Sequence, residues 1–126
     1  MHHVPEYLEY MQDWKKRINE RYTILLSEKR PFFVKQDYTI EEFANDLVTN
    51  RSYASRFVNE VLETSFPTLL NKLRIAYVIR MKHENPNEPI YKLAVAAGFK
   101  STFSFRRAFH REYSMTPKEF FKKQEI

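Results

Sequence analysis

Apolar residues recur three and four positions apart along almost the whole chain, the spacing of amphipathic helices rather than the alternation of strands. Residues 6–28 predict one long helix, with Tyr7, Met11, Trp14, Ile18, Tyr22 and Leu25 as an apolar stripe and charges between them. The stripe is near heptad but short for a coiled coil. Arg30-Pro31 ends it, and residues 31–37 read as a loop that buries Phe32 and Phe33. Thr39 and Glu42 then have the spacing of a capping box, in which each side chain satisfies a free backbone amide. The helix they open, IEEFANDL, puts Ile40, Phe43, Ala44 and Leu47 on one face.

After the short break V-T-N, Asn50 is placed to cap a second helix, RSYASRFVNEVLE. Ala54, Phe57, Val58, Val61 and Leu62 point one way; Arg51, Ser52, Ser55, Arg56 and Asn59 point the other. A helix with an apolar back and an Arg/Ser/Asn front, entered through a tight turn, has the pattern of a helix-turn-helix reader. Residues 67–83 predict a third helix, apolar on more than one side through Leu70, Leu73, Ile75, Tyr77, Val78 and Met81, which suits a connector between two subdomains. ENPNEP breaks it.

The earlier pattern then returns, displaced by about fifty residues, and an internal repeat predicts a repeated supersecondary unit. IYKLAVAAGF matches IEEFANDL and its turn. The helix predicted over 102–113 backs onto Phe105, Ala108, Phe109 and Tyr113 and presents Thr102, Phe103, Arg106, Arg107 and His110. Arg56 and Arg107 fall at matching places. Thr116-Pro117-x-Glu119 opens a last short helix carrying Phe120 and Phe121. The one glycine, Gly98, closes the first helix of the second copy, where left-handed backbone or a close approach is expected; the first copy has Val48 there. A β-branched residue resists positive φ, so the first turn is expected either to take a different route or to carry strain.

Composition narrows the function. The chain has 126 residues, a net charge of +5, 43% hydrophobic residues and no cysteine. That is enough chain for a core, it favours an anionic partner, and it excludes disulfides and thiolate metal sites. No apolar run is long enough to span a bilayer and no signal peptide is present, so a cytoplasmic protein without membrane insertion is expected. There is no phosphate-cradling glycine loop and no assembled nucleophile–base set; Glu41-Glu42 is a helix first-turn pair, and His83 has no partner at ligand spacing, so neither enzyme, metal nor cofactor is expected.

The segment 38–121 resembles the DNA-binding domain of AraC/XylS-type transcription regulators. The motifs that carry the likeness are TIEEFANDL, RSYASRFVNEV, SFPTLLNKLRI and above all AGFKSTFSFRRAFHREYSMTPKEF. RPFFVKQDYT also resembles the lead-in of a subset of them. The resemblance implies an all-α fold in which two helix-turn-helix units, joined by a long helix, insert their second helices into successive major-groove segments. It carries the DNA-reading role onto Arg51, Ser52, Ser55 and Arg56, and onto Thr102, Phe103, Arg106 and Arg107. The sequence departs from the family at Val48, Glu63 and Ser114, where glycines are usual.

The residues themselves agree with that role. An arginine fork bonds guanine O6 and N7, Ser and Thr reach bases or phosphates, and Phe103 suits thymine methyls. Asn59 and His110 extend the two fronts, and Lys118, Lys122 and Lys123 form a solvated face beside them. Other readings stay open at this stage: Arg56 and Arg107 paired with carboxylates such as Glu60 or Glu42, Phe103 in the core, and a helical protein-interaction module with a basic face. The domains expected are residues 1–36, an N-terminal helix and loop that is either an arm docking on the domain or a linker, and residues 37–126, the double helix-turn-helix. Trimming the segment before Pro31 is expected to leave the remainder folded. The expected partners are double-stranded DNA, an effector-sensing domain outside this piece of a longer regulator, RNA polymerase, and a second copy through residues 6–28.

Overall fold

The computed structural model describes residues 13–124, and every regular element among them is helical. They form α1 (Trp14–Leu26), a 3-10 turn (Phe32–Val34), α2 (Ile40–Asp46), α3 (Arg51–Arg56) running into a π turn (Phe57–Val61), α4 (Phe66–Glu84), α5 (Ile90–Ala96), α6 (Thr102–Tyr113) and α7 (Pro117–Gln124). The start of the helix predicted over 6–28, with Tyr7 and Met11, lies outside the described residues. The chain divides into two compact units: residues up to Phe32 with Thr39–Phe66, and Phe33–Tyr38 with the residues from Pro67 onwards.

Caps set the helix starts where the sequence places them. Thr39 Oγ1 accepts from the amide of Glu42 at 3.1 Å, Asn50 Oδ1 from Tyr53 at 2.9 Å, and Thr116 Oγ1 from Glu119 at 3.1 Å. Ser101 Oγ does the same for Ser104 at 3.0 Å and opens α6. Each bond satisfies an amide that the first turn of a helix leaves unpaired.

In the first unit α1 contributes a large part of the core. Trp14, Ile18, Tyr22 and Leu25 are buried, as are Phe43, Ala44, Leu47, Ala54, Phe57 and Val58. The Tyr22 ring meets Phe43 at 6.1 Å and Phe57 at 5.5 Å, both edge-on, and burial raises the pKa of its hydroxyl. Phe32, half-buried, stacks on Phe43 at 5.4 Å. Arg21 Nε ties α1 to the end of α2 through the carbonyl of Asp46 at 2.8 Å. The described members of the stripe offered as a dimer seam are therefore turned into their own unit. The same burial argues against the expectation that everything before Pro31 can be trimmed.

In the second unit Ile75 and Val78 of α4, Leu93, Ala94 and Ala97 of α5 and its turn, Phe99, and Phe105, Ala108 and Phe109 of α6 make one core cluster. Phe109 and Phe120 meet edge-on at 5.3 Å, which seats α7. Leu73, expected on the apolar side of α4, is only half-buried, and the position beside it is taken by a charge. Arg74 is 7% exposed. Its Nε donates to the carbonyl of Phe33 at 2.8 Å and its Nη2 to those of Lys35 and Gln36 at 2.9 and 3.4 Å. Burial lowers its pKa and nearby Asp37 pulls it back up; a guanidinium stays charged regardless at neutral pH.

The helix-turn-helix turns show what the lone glycine does. Both close with an amide reaching five residues back, Thr49 to Ala44 at 2.9 Å and Phe99 to Ala94 at 3.1 Å. This closure puts the preceding residue in left-handed backbone. Val48 takes it at φ +57° and Gly98 at φ +104°. The alternatives left open for Val48 are settled as the same route with strain. Its side chain is 78% exposed, so nothing collides with it. Glu63 and Ser114, the other departures from the family pattern, also have positive φ, +53° and +56°.

Val48→Gly is accordingly expected to stabilise the protein. Left-handed backbone costs a non-glycine residue about 1–2 kcal/mol, more for a branched one, while the added freedom of the unfolded glycine takes back about 0.5–1 kcal/mol. A net gain of about 1 kcal/mol should appear as a higher urea midpoint at unchanged slope. A lower midpoint would show that the valine side chain makes a contact worth more than the strain.

Candidate nucleic-acid interface

The second helix of each helix-turn-helix, α3 in the first unit and α6 in the second, turns its polar side outward. On α3 and the π turn, Arg51, Ser52, Ser55, Arg56 and Asn59 are exposed while Ala54, Phe57 and Val58 are buried. On α6, Phe103, Arg106, Arg107 and His110 are exposed, Thr102 is half-buried at the first turn, and Phe105, Ala108 and Phe109 are buried. Phe103, at 67% exposure, stands on the surface and not in the core. Tyr113, assigned to the back of α6, is at the rim at 36% exposure, its ring 5.0 Å from Phe109 and 4.7 Å from Phe120.

The arginines differ in what holds them. Arg51 Nη1 pairs with Glu41 at 3.1 Å, both largely exposed. An exposed pair contributes little and yields readily to a stronger anion. Arg56 Nη2 reaches Glu60 at 3.5 Å, a long contact, so of the carboxylates named as alternatives Glu60 is the one it meets. No carboxylate lies within ion-pair distance of Arg106 or Arg107 among the described residues. Arg107 instead lies over the ring of Phe103, 5.6 Å from its centroid.

Beside Arg106, in the second unit alone, a groove of about 540 Å³ is lined by Lys82, Thr102, Thr116, Lys118 and Tyr91. Its walls also include Ile90, Phe105 and Pro117 and are mainly apolar, with Lys82, Arg106 and Lys118 as its charged members. Lys82 Nζ itself donates to the carbonyls of Pro86 and Glu88 at 2.7 and 2.8 Å, closing the ENPNEP break. Sequence reasoning missed Lys82 because a lysine in the last turn of a helix reads as a solvated charge and its two acceptors come from the following loop.

No group of His, Asp or Glu able to hold a metal ion exists among the described residues, and none of their helices is long and apolar enough to cross a membrane.

The same architecture occurs in known proteins. The chain is similar to the C-terminal domain of AraT, a response regulator from Geobacillus stearothermophilus, at 23% identity over 87% of each chain with a TM-score of 0.70. It is similar to a DNA-binding transcriptional dual regulator from Escherichia coli K-12, at 22% identity over 87% of this chain and 90% of that one, TM-score 0.63. A protein of unknown function from Listeria innocua shares the fold at 18% identity and a TM-score of 0.65, over 83% of this chain and 94% of that one. At these identities the likeness is one of fold. No curated protein matches the sequence. The model of a helix-turn-helix domain family matches residues 43–123, from α2 to α7. With that match over more than half of its length, the chain belongs to the AraC-type helix-turn-helix family of DNA-binding transcription regulators.

Proposed function

We propose that α3 and α6 are both reading helices, and that the protein binds an asymmetric duplex site through two successive major-groove segments about 34 Å apart. The observation that carries this reading is the repetition: two helices, each behind the same turn closure, bury the same kind of back and present an arginine at matching places, Arg56 and Arg107. Arg56 and Arg107 suit guanine edges, and Ser52, Ser55 and Asn59 suit bases or phosphates on the first front. Arg51, Arg106, Thr102 and His110 lie nearer helix ends or flanks and suit the backbone, with Arg106, Lys82 and Lys118 receiving a phosphate in the groove. Phe103 carries apolar surface to thymine methyls. The likeness to the C-terminal domain of a response regulator supports a separate sensing domain acting on this one. RNA polymerase would then be the partner downstream.

Selection from a randomised duplex library at near-physiological salt tests the reading. Two sequence blocks one helical turn apart are expected. One block alone would mean that one unit reads and the other supports; none would return the basic faces to a protein partner. Arg106→Ala is expected to weaken binding to the retained duplex more than tenfold and to flatten the salt dependence by about one unit of log–log slope, as the loss of one phosphate contact should. Unchanged affinity in a folded variant removes Arg106 from the interface.

A further inference from the structure

The matching arginines are held in matching ways, but by different parts of the chain. Arg107 lies over Phe103, one turn back on its own helix. The corresponding position of the first unit is Ser52, which has no ring to offer. There the ring comes from α1. The Arg56 guanidinium lies over Trp14, 4.8 Å from the ring centroid, with Tyr53 at 6.0 Å. The Trp14 and Tyr53 rings are themselves 5.0 Å apart. Lys15 anchors the same end of α1 through Glu60 at 3.4 Å, the carboxylate that also meets Arg56.

A ring beneath a guanidinium engages its flat face and leaves its N–H edges for bonding. Trp14 is buried at 9% exposure, whereas the Arg56 side chain keeps 52%. The ring is therefore fixed and the fork faces out. The Glu60 contact, exposed and at 3.5 Å, holds Arg56 weakly by comparison.

We propose that Trp14 is a positioning residue for DNA reading: it stacks beneath Arg56 and presents its fork to the base edge, so that the sequence preference of the first unit is set partly by α1. This rests on Arg56 reading a base. The second unit, which has its own ring, is independent of it.

Selection from the randomised duplex library with four proteins tests both statements: the natural chain, Arg56→Ala, Trp14→Phe and Trp14→Leu. Arg56→Ala should erase the preference at one base pair of one block and thereby locate it. Trp14→Leu keeps apolar burial without a π face and should weaken that same preference about three- to fivefold, the worth of an exposed to partly buried stack. Trp14→Phe should retain most of it, and the other block should be unchanged in all four. The remaining base pairs of the first block, read as before, show the first unit of each variant to be folded and DNA-competent, and the unchanged other block shows the same for the second. If Trp14→Leu and Trp14→Phe both read that base pair as the natural chain does, the positioning role is overturned while Arg56 remains a reader. If Arg56→Ala alters no base pair, the base-reading assignment fails and this inference with it.

Discussion

Gly98→Ala is expected to cost about 4 kcal/mol, enough to lower the melting temperature by about 15 °C or more. Two effects add. A backbone at φ +104° lies beyond the left-handed region that L residues tolerate, so any side chain there is strained. The space is also filled: an added Cβ would meet the Arg74 Nε and the Val34 carbonyl at 2.8 Å and the Phe33 carbonyl at 2.9 Å. Two of those atoms are backbone and the third is pinned by its bond to Phe33, so none can swing aside. Moving the 33–36 backbone away would also break the bonds from Arg74 and leave a charge buried without its acceptors, the costly side of buried polar pairing. Thermal unfolding of Gly98→Ala beside Val48→Gly is the direct comparison. The two residues occupy equivalent turn positions, yet the expected changes have opposite sign. A loss below about 1 kcal/mol at Gly98 would show that the loop yields and that the contacts around Arg74 are softer than their geometry.

That contrast also shows which features of the molecule are legible in the sequence. The helices of both units are, because their starts are written in short capping patterns and their faces in spacing. The helix predicted over 102–113 is observed as Thr102–Tyr113, behind a serine cap that the reading did not use. The outward faces of α3 and α6 follow from the same periodicity, and so does the position of the turn glycine. Arg74 is not legible. Periodicity treats a charged residue as a surface marker, and its acceptors are backbone carbonyls of a loop some forty residues earlier, which no pattern of side chains announces. The π turn after α3 is equally silent, and its extra residue shifts the phase beyond it: Val61, which periodicity places on the apolar back, is exposed and Leu62 is only half-buried. For α1 the stripe is legible, and docking on the domain is one of the readings it allows, but the pattern alone does not choose between them. An amphipathic helix specifies that it must be covered, not by what, and a core or a second copy satisfies the same pattern.

Removing the chain up to Arg30 is expected to unfold the first unit. Four buried side chains would go, Trp14, Ile18, Tyr22 and Leu25, each contributing about 1.5–3 kcal/mol by burial alone. Their loss compares with a total stability of about 5–15 kcal/mol for a domain of this size. Phe43 and Phe57, both 0% exposed, would be opened to water where Tyr22 now covers them. The second unit has its own cluster around Val78, Phe105 and Phe109, together with the Arg74 bonds, and none of those residues precedes Phe33. The trimmed chain should therefore lose helix content and cooperative unfolding in the part made of α2 and α3, with amide protection surviving in α4 to α7. Hydrogen exchange followed residue by residue distinguishes the outcomes. Full protection in α2 and α3 would make α1 an arm after all, laid on a core that stands without it. Protection confined to the second unit would mean that α1 is the first helix of the DNA-binding fold. Anything that shifts α1 would then act on α3 through the core itself as well as through the ring beneath Arg56.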